Sequence, residues 1–177
     1  ISHFAMFQIP AYHKLLTLTD AAMNIAPTLE EKAVIIQNTV DFAHKLGVDR
    51  PKVAVLAAIE QVNPKMQATV EAAELKRMNE DGRITGCIVD GPLSFDLAVS
   101  EESKHDKHFE SPVAADADIL LAPDIEAGNL LYKSFAFFTD CRMCAVILGA
   151  AAPIVLTSRA DSMDAKLSSI ALAVAGA

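Results

Sequence analysis

Residues 119–139, Ile119-Leu-Leu-Ala-Pro-Asp-Ile-Glu-Ala-Gly-Asn-Leu-Leu-Tyr-Lys-Ser-Phe-Ala-Phe-Phe-Thr139, decide the fold. The apolar run Ile119 to Ala122 has the length of a buried strand, and Pro123-Asp124 stops it. A helical pattern then runs from about Glu126 to Thr139, and a second strand-like run, Cys144 to Leu148, follows it. Strand, polar turn and helix repeated in that order predict parallel strands joined by crossover helices.

Working outward, the same alternation recurs. Ile84 to Val89 reads as a strand ending in Asp90-Gly91-Pro92, with a helix over Ser94 to Glu102 behind it. Upstream, Thr28-Leu-Glu-Glu31 after Pro27 is a capping box that should open a helix. Val34, Ile35, Val40, Phe42, Ala43 and Leu46 give that helix an inner face, and Gly47 ends it. Val53 to Ala57 is a short strand. Residues 66–79 are amphipathic, with Met66, Val70, Ala73 and Leu75 toward the core and Lys76, Arg77 and Glu80 toward water. At the start, Ser2 to Gln8 alternates, Pro10 breaks it and Lys14 to Thr19 resumes, which predicts an antiparallel pair. After a turn at Gly149 to Pro153 come a short strand, Ile154 to Leu156, and a terminal helix from Ala160 to Ala177. The predicted class is α/β: a three-layer αβα sandwich with a mainly parallel sheet. Ligands in such sheets sit beyond the carboxyl ends of the strands, where Asp90, Asp124 and Ser158 fall on this pattern.

Composition excludes several classes. The 177 residues are 52% hydrophobic and 21% charged, a balance that builds a core, and the net charge of −8 argues against nucleic-acid or anionic-membrane partners. Apolar runs are broken by Asp, Pro or Gly well short of the roughly 18 residues of a membrane span. No basic segment followed by an apolar stretch opens the sequence, so a cytoplasmic location is the expectation. Cys87, Cys141 and Cys144 are an odd number without a second Cys-x-x-Cys or a paired His motif, which favours plain thiols over a metal or redox site. His3, His13, His44, His105 and His108 are scattered, and His105-Asp-Lys-His108 reads as a solvated loop.

The segment Leu156-Thr-Ser-Arg-Ala-Asp161 places a hydroxyl, a guanidinium and a carboxylate at a predicted helix start, where free N–H groups favour an anion such as phosphate. The alternative is that Ser158 is only an N-cap, with Asp161 at the third helical position complementing the dipole.

Four stretches carry more specific wording: Asp20-Ala-Ala-Met-Asn24 with Ile25-Ala-Pro27, Asp90-Gly-Pro-Leu-Ser-Phe-Asp96, Pro123 to Lys133, and Ala152 to Ser162. In this order they resemble the phosphate acetyl/butyryltransferase family over essentially the whole chain, with the butyryl branch the better fit. The resemblance implies an isocitrate-dehydrogenase-like fold of two domains, usually a homodimer. It also implies the reaction acyl-CoA plus phosphate giving acyl phosphate plus CoA, with coenzyme A as substrate and no metal or redox cofactor. It further implies a domain ahead of the segment Ile1-Ser-His-Phe4, so that residues 1–156 are a second domain and residues 157–177 a helix returning to a first domain absent from this chain. Such a chain could be a folding and dimerisation unit that does not turn over alone.

By the same resemblance Arg159 binds phosphate, as a planar fork suits a phosphoryl group, and Ser158 stabilises the tetrahedral intermediate. Lys133 supplies a second positive charge or is a surface lysine. Gly128 and Asn129 act through backbone N–H groups or a cap behind Asp124, while Asp90 and Asp96 bind substrate or cap loops and helices. The sequence departs from the family where a carboxylate base for the CoA thiol is expected: Ala165 stands there, leaving Asp164 or Asp161 as candidates. A thiol of pKa near 8.5 needs less help than an alcohol. Gly149-Ala-Ala-Ala152 lacks a lysine common in relatives, and Ala115 replaces a usual glycine. The competing enzyme class on this fold is a metal- and NAD-dependent decarboxylating dehydrogenase, with Asp90, Asp116, Asp118 and Asp124 as ligands.

Overall fold

The computed structural model describes residues 1–152, 154–157 and 161–177. Six strands, β1 (Ser2–Gln8), β2 (Leu16–Thr19), β3 (Lys52–Leu56), β4 (Ile88–Leu93), β5 (Ile119–Leu121) and β6 (Arg142–Leu148), form one sheet in the order β4-β3-β5-β2-β1-β6. Strands β2 to β5 pair in parallel, while β1 is antiparallel to both β2 and β6. The α/β class and the mainly parallel sheet therefore stand, with β1 the single reversed strand.

The helices are α1 (Leu29–Lys45), α2 (Gln67–Glu80), α3 (Phe95–Val99), α4 (Glu101–Asp106), α5 (Ile125–Phe138) and α6 (Met163–Ala175). Side chains alternate across each strand, so β1 sends Phe4 to the α1 side, against Phe42 at 5.0 Å, and Phe7 to the α5 side, against Tyr132 and Phe135. One core joins α1 and α2 to β3, β4 and β5, and another joins α3 and α5 to the opposite face. The α6 helix runs along the outer edge of β6. There Ser169 accepts a 2.9 Å hydrogen bond from the Ala145 N–H, and Ala165, Ser169 and Leu172 are buried, while Leu167, Ile170 and Val174 stay exposed.

The start of α1 forms as its residues dictate. Thr28 accepts from Glu31 N–H at 3.3 Å and the Glu31 carboxylate accepts from Thr28 N–H at 2.7 Å, closing the capping box, and Gly47 follows the C-cap with φ of 88°. Ile35, Val40, Phe42 and Ala43 face inward, but Val34 is 57% exposed and Ile36 is buried in its place. In α2 the buried stripe is Thr69, Ala72, Leu75 and Met78 rather than Met66, Val70, Ala73 and Leu75. Met66 is the N-cap, and Thr69 enters the core because its hydroxyl is satisfied by the Met66 and Asn63 carbonyls. Lys76 is not simply solvated either, since it pairs with Asp90 at 2.8 Å.

Three boundaries differ from the pattern in the sequence. The Ile84 to Cys87 stretch is no strand: Asn79 holds the Ile84 and Cys87 carbonyls at 3.0 and 3.3 Å, and pairing begins at Ile88 and runs through Asp90, Gly91 and Pro92 on an edge strand that tolerates proline. The helix over 94–102 is two, because Ser100 is extended and its hydroxyl accepts from Ser103 N–H at 3.2 Å, restarting the chain as α4; His105 lies on that helix, not in a loop. Only Ile154 of the expected 154–156 strand pairs, by a bridge to Ile147.

At the amino ends of β2, β3 and β5, Asp116 gathers Lys14 at 2.8 Å, Lys52 at 2.6 Å and His13 at 2.9 Å, and Asp118 accepts from the Lys52 N–H at 2.7 Å. The neighbouring Ala115 has φ of 64°, the left-handed region that accounts for a glycine being usual there. Among the described residues no helix is long and apolar enough to cross a membrane.

Two outcomes follow from these local devices. Thr28→Ala should cost about 1 kcal/mol, read as a lowered unfolding midpoint, with Thr28→Ser near wild type. Burial alone would raise the Asp116 pKa, but hydrogen bonds from Lys14, Lys52 and His13 and the Lys14 charge outweigh it and hold the carboxyl well below its ordinary 3.8. A depressed carboxyl gives stability that is present above its unfolded value and lost as pH falls below it. Thermal unfolding from pH 6 to pH 2 should thus show an acid loss below about pH 4 that Asp116→Asn flattens.

Candidate active site

The carboxyl end of β2 turns on one buried carboxylate. Asp20, 3% exposed, accepts from the N–H groups of His3 (3.1 Å), Ala22 (2.8 Å) and Met23 (2.9 Å) and from the Asn24 amide. The Thr19 hydroxyl donates to the His3 carbonyl at 2.7 Å, so both backbone polar groups of His3 are engaged from the β2 side. Ordered this way, the Asp20 to Asn24 stretch, one of the four singled out in the sequence, forms a wall at the carboxyl ends of the strands.

The start of α5 packs directly on this wall. Asp124 is its N-cap, accepting from Ala127 N–H at 2.8 Å, and Asn129 donates to the Ala21 carbonyl at 3.1 Å. The Gly128 N–H is engaged inside the helix with the Asp124 carbonyl at 3.0 Å. Its lack of a side chain is what matters, because a Cβ there would collide with the Asp20 carbonyl oxygen and lie 3.1 Å from Ala21 Cα.

Between wall and helix opens a cleft of about 350 Å³ lined by His3, Ala21, Ala22, Asn129, Tyr132, Lys133, Leu156 and Thr157. A second cleft, of about 280 Å³, also has Lys133 in its lining and adds Arg142, Asp161, Ser162 and Asp164. Thr157 in the first and Asp161 in the second bracket the Ser158-Arg159 pair, which lies outside the described residues. The ammonium of Lys133 sits 5.5 Å from the Tyr132 ring centroid. Lys133 and Arg142 put positive charge here in a chain of net charge −8.

Of the residues anticipated from sequence, Lys133 and Asn129 line the first cleft, Asp161 and Asp164 the second, and Gly128 and Asp124 build the helix that carries them. Asp161 precedes the N-cap of α6 instead of lying in its first turn, and Ser162 is that cap. Asp90 is elsewhere, on the edge strand β4, where Lys76, Ser111 and the Gly91 N–H hold it. Asp96 starts α3, and its pKa is lowered to about 2 by hydrogen bonds from Ser94 and Lys107. The ligand set of the dehydrogenase alternative is not assembled: Asp116 and Asp118 lie at the amino ends of the strands, Asp124 at the carboxyl ends and Asp90 on the far edge. Among the described residues no three His, Cys, Asp or Glu side chains form a metal cluster. The cysteines are free thiols, and burial pushes Cys87 and Cys144 up to about 11.

His3, Tyr132 and Arg142 were not anticipated. Histidine scatter hid His3, yet strand alternation from Phe7 back to His3 puts both on the α5 face; Tyr132 and Arg142 carried no signal beyond their neighbours. Burial raises the Tyr132 phenol, with Asp161 adding to the effect, so it remains protonated.

A family model described as "Phosphate acetyl/butaryl transferase" matches residues 1–174. The chain belongs to this family. It is 57% identical over 174 residues to a probable phosphate butyryltransferase of Bacillus subtilis, and 49% identical over 173 residues to a phosphate butyryltransferase of Clostridium acetobutylicum. Each match covers 98% of this chain, which spans 58% of the length of either relative. Among solved structures, a branched-chain phosphotransacylase from Enterococcus faecalis superposes with a TM-score of 0.92 at 44% identity, covering 99% of this chain and 62% of that one. Membership in the phosphate acetyl/butaryl transferase family agrees with the order of the four motifs and with the fold. Ala165, at the place where the resemblance leads one to expect a carboxylate, is 6% exposed and lines the second cleft.

Gly128→Ala tests the packing that shapes the cleft. The overpacking should cost about 1 to 3 kcal/mol, measured by chemical denaturation, and Ala127→Gly should not reproduce the local clash at Asp20.

Proposed function

We propose that the protein is a phosphate acyltransferase of the butyryl branch, converting acyl-CoA and phosphate to acyl phosphate and CoA by direct transfer in a ternary complex. The observation that carries the reading is the pair of adjoining clefts at the carboxyl ends of the strands, with Lys133 common to both and one lined by Thr157, the other by Asp161, the described residues that flank the Ser158-Arg159 stretch in the sequence. In the direction of CoA acylation the thiolate attacks the carbonyl carbon of the acyl phosphate. The Ser158 hydroxyl steadies the oxyanion, and Arg159 and Lys133 neutralise the departing phosphate. Nothing in this sequence of steps calls for a metal or redox cofactor; coenzyme A is the substrate.

The butyryl preference is supported by the two butyryltransferases at 57% and 49% identity. The length of those relatives supports a division in which residues 1–156 are one domain and residues 157–177 return to another. On this reading the protein works in the cytoplasm as a homodimer, with no nucleic-acid or membrane partner. Phe138, 88% exposed on α5, is among the exposed apolar side chains that an assembly would cover.

The test is kinetic and uses the protein as its gene encodes it. Arg159→Ala should cost about 2 to 5 kcal/mol in phosphate binding and turnover, seen as a higher KM for phosphate and a lower kcat with butyryl-CoA. An unchanged KM and kcat would remove Arg159 from the site.

A further inference from the structure

His3 is a buried titratable group, on the wall of the first cleft, for which the reaction above has no use. It is 4% exposed, lines the first cleft, and its Nδ1 has no hydrogen-bond partner among the described residues. A buried ring nitrogen left unpaired is costly, and an orphaned polar atom beside a cleft points to a ligand that completes it. The residue that carries it is firmly held. Its backbone lies opposite Ile147 of β6 and is fixed by the Asp20 and Thr19 side chains, and the ring is set edge-on to Tyr132 at 5.9 Å between centroids.

We propose that His3 is the general base of acyl transfer, accepting the CoA thiol proton on its ring as sulfur attacks the acyl phosphate; this rests on the acyltransferase reading above. The S–H bond breaks with its proton going to the imidazole, the S–C bond forms, and the C–O bond to phosphorus breaks with its electron pair leaving on phosphate. In reverse, imidazolium returns the proton to the departing thiolate as phosphate oxygen attacks the acyl-CoA carbonyl. The role is the one that Ala165 leaves without a carboxylate. Asp164 is exposed and lines the second cleft, whereas His3 is buried and lines the first.

The electrostatic setting suits a base. Burial lowers the His3 pKa, and the Asp20 and Asp161 carboxylates oppose that shift. The net direction is down from 6.5, so the ring is neutral and able to accept a proton at pH 7. Of the other charged or titratable groups around it, Tyr132 stays protonated and Lys133 lines the same cleft.

The experiment compares His3→Gln with the unsubstituted protein, as its gene encodes it, in acyl transfer from butyryl phosphate to CoA across pH 6 to 9.5. Loss of the base should lower kcat about 100-fold at pH 7 with little change in KM. The deficit should shrink about tenfold toward pH 9, as a thiol of pKa near 8.5 ionises unaided. A purely structural role would give a deficit that does not vary with pH, and that result, or wild-type kinetics, overturns the proposal. So does the same pH-dependent signature appearing in Asp164→Asn instead. Independently of any substitution, adding CoA to the unsubstituted protein should shift the ¹⁵N signals of the His3 ring; unmoved signals count against it. Absence of acyl transfer in the unsubstituted protein would instead sink the acyltransferase reading itself.

Discussion

One carboxylate organises the functional end of this molecule. Asp20 closes the carboxyl end of β2, and its oxygens collect N–H donors from β1, from its own loop and from the Asn24 amide. An ion in a site this buried is tolerated only because its lone pairs are met by fixed donors. That requirement fixes where the loop runs. The path of the loop in turn sets how closely α5 approaches, with Gly128 against the Asp20 carbonyl and Asn129 on Ala21. The first cleft is the space left over.

The reversal of β1 supplies the second ingredient. Loops after parallel strands bring polar residues to the carboxyl end of a sheet, but side chains within those strands stay in the core. A strand running the other way begins where its neighbours end, so its first residues lie at that edge while still paired with β6. His3 is such a residue, with its backbone held in addition by the Asp20 and Thr19 side chains.

Most of the fold was legible because its signals are local. The capping box at Thr28, the stop at Gly47 and the Pro123-Asp124 break between β5 and α5 each act within a few residues and appear where the sequence puts them. Errors arose where a side-chain hydrogen bond, invisible to hydrophobic periodicity, decided. Ile84 is buried like a strand residue, but Asn79 of α2 takes its carbonyl, and the α2 stripe is displaced because Thr69 can be buried once its hydroxyl is satisfied. In the site the limit was separation along the chain. Lys133, Asn129 and Asp124 are found from their position behind a strand, whereas His3 joins them from a residue more than a hundred positions away, a pairing that only the sheet order reveals.

The contact between α6 and β6 bears on how the molecule can associate. An outer strand with free N–H and C=O groups invites another chain to extend the sheet. On β6 the Ala145 N–H is taken by Ser169 and the Ile147 N–H by the Ile154 carbonyl. Two donors that a visiting strand would need are already spent on the chain's own C-terminal segment. Continuous β-sheet growth across this side is disfavoured, because both donors would first have to be released from that segment.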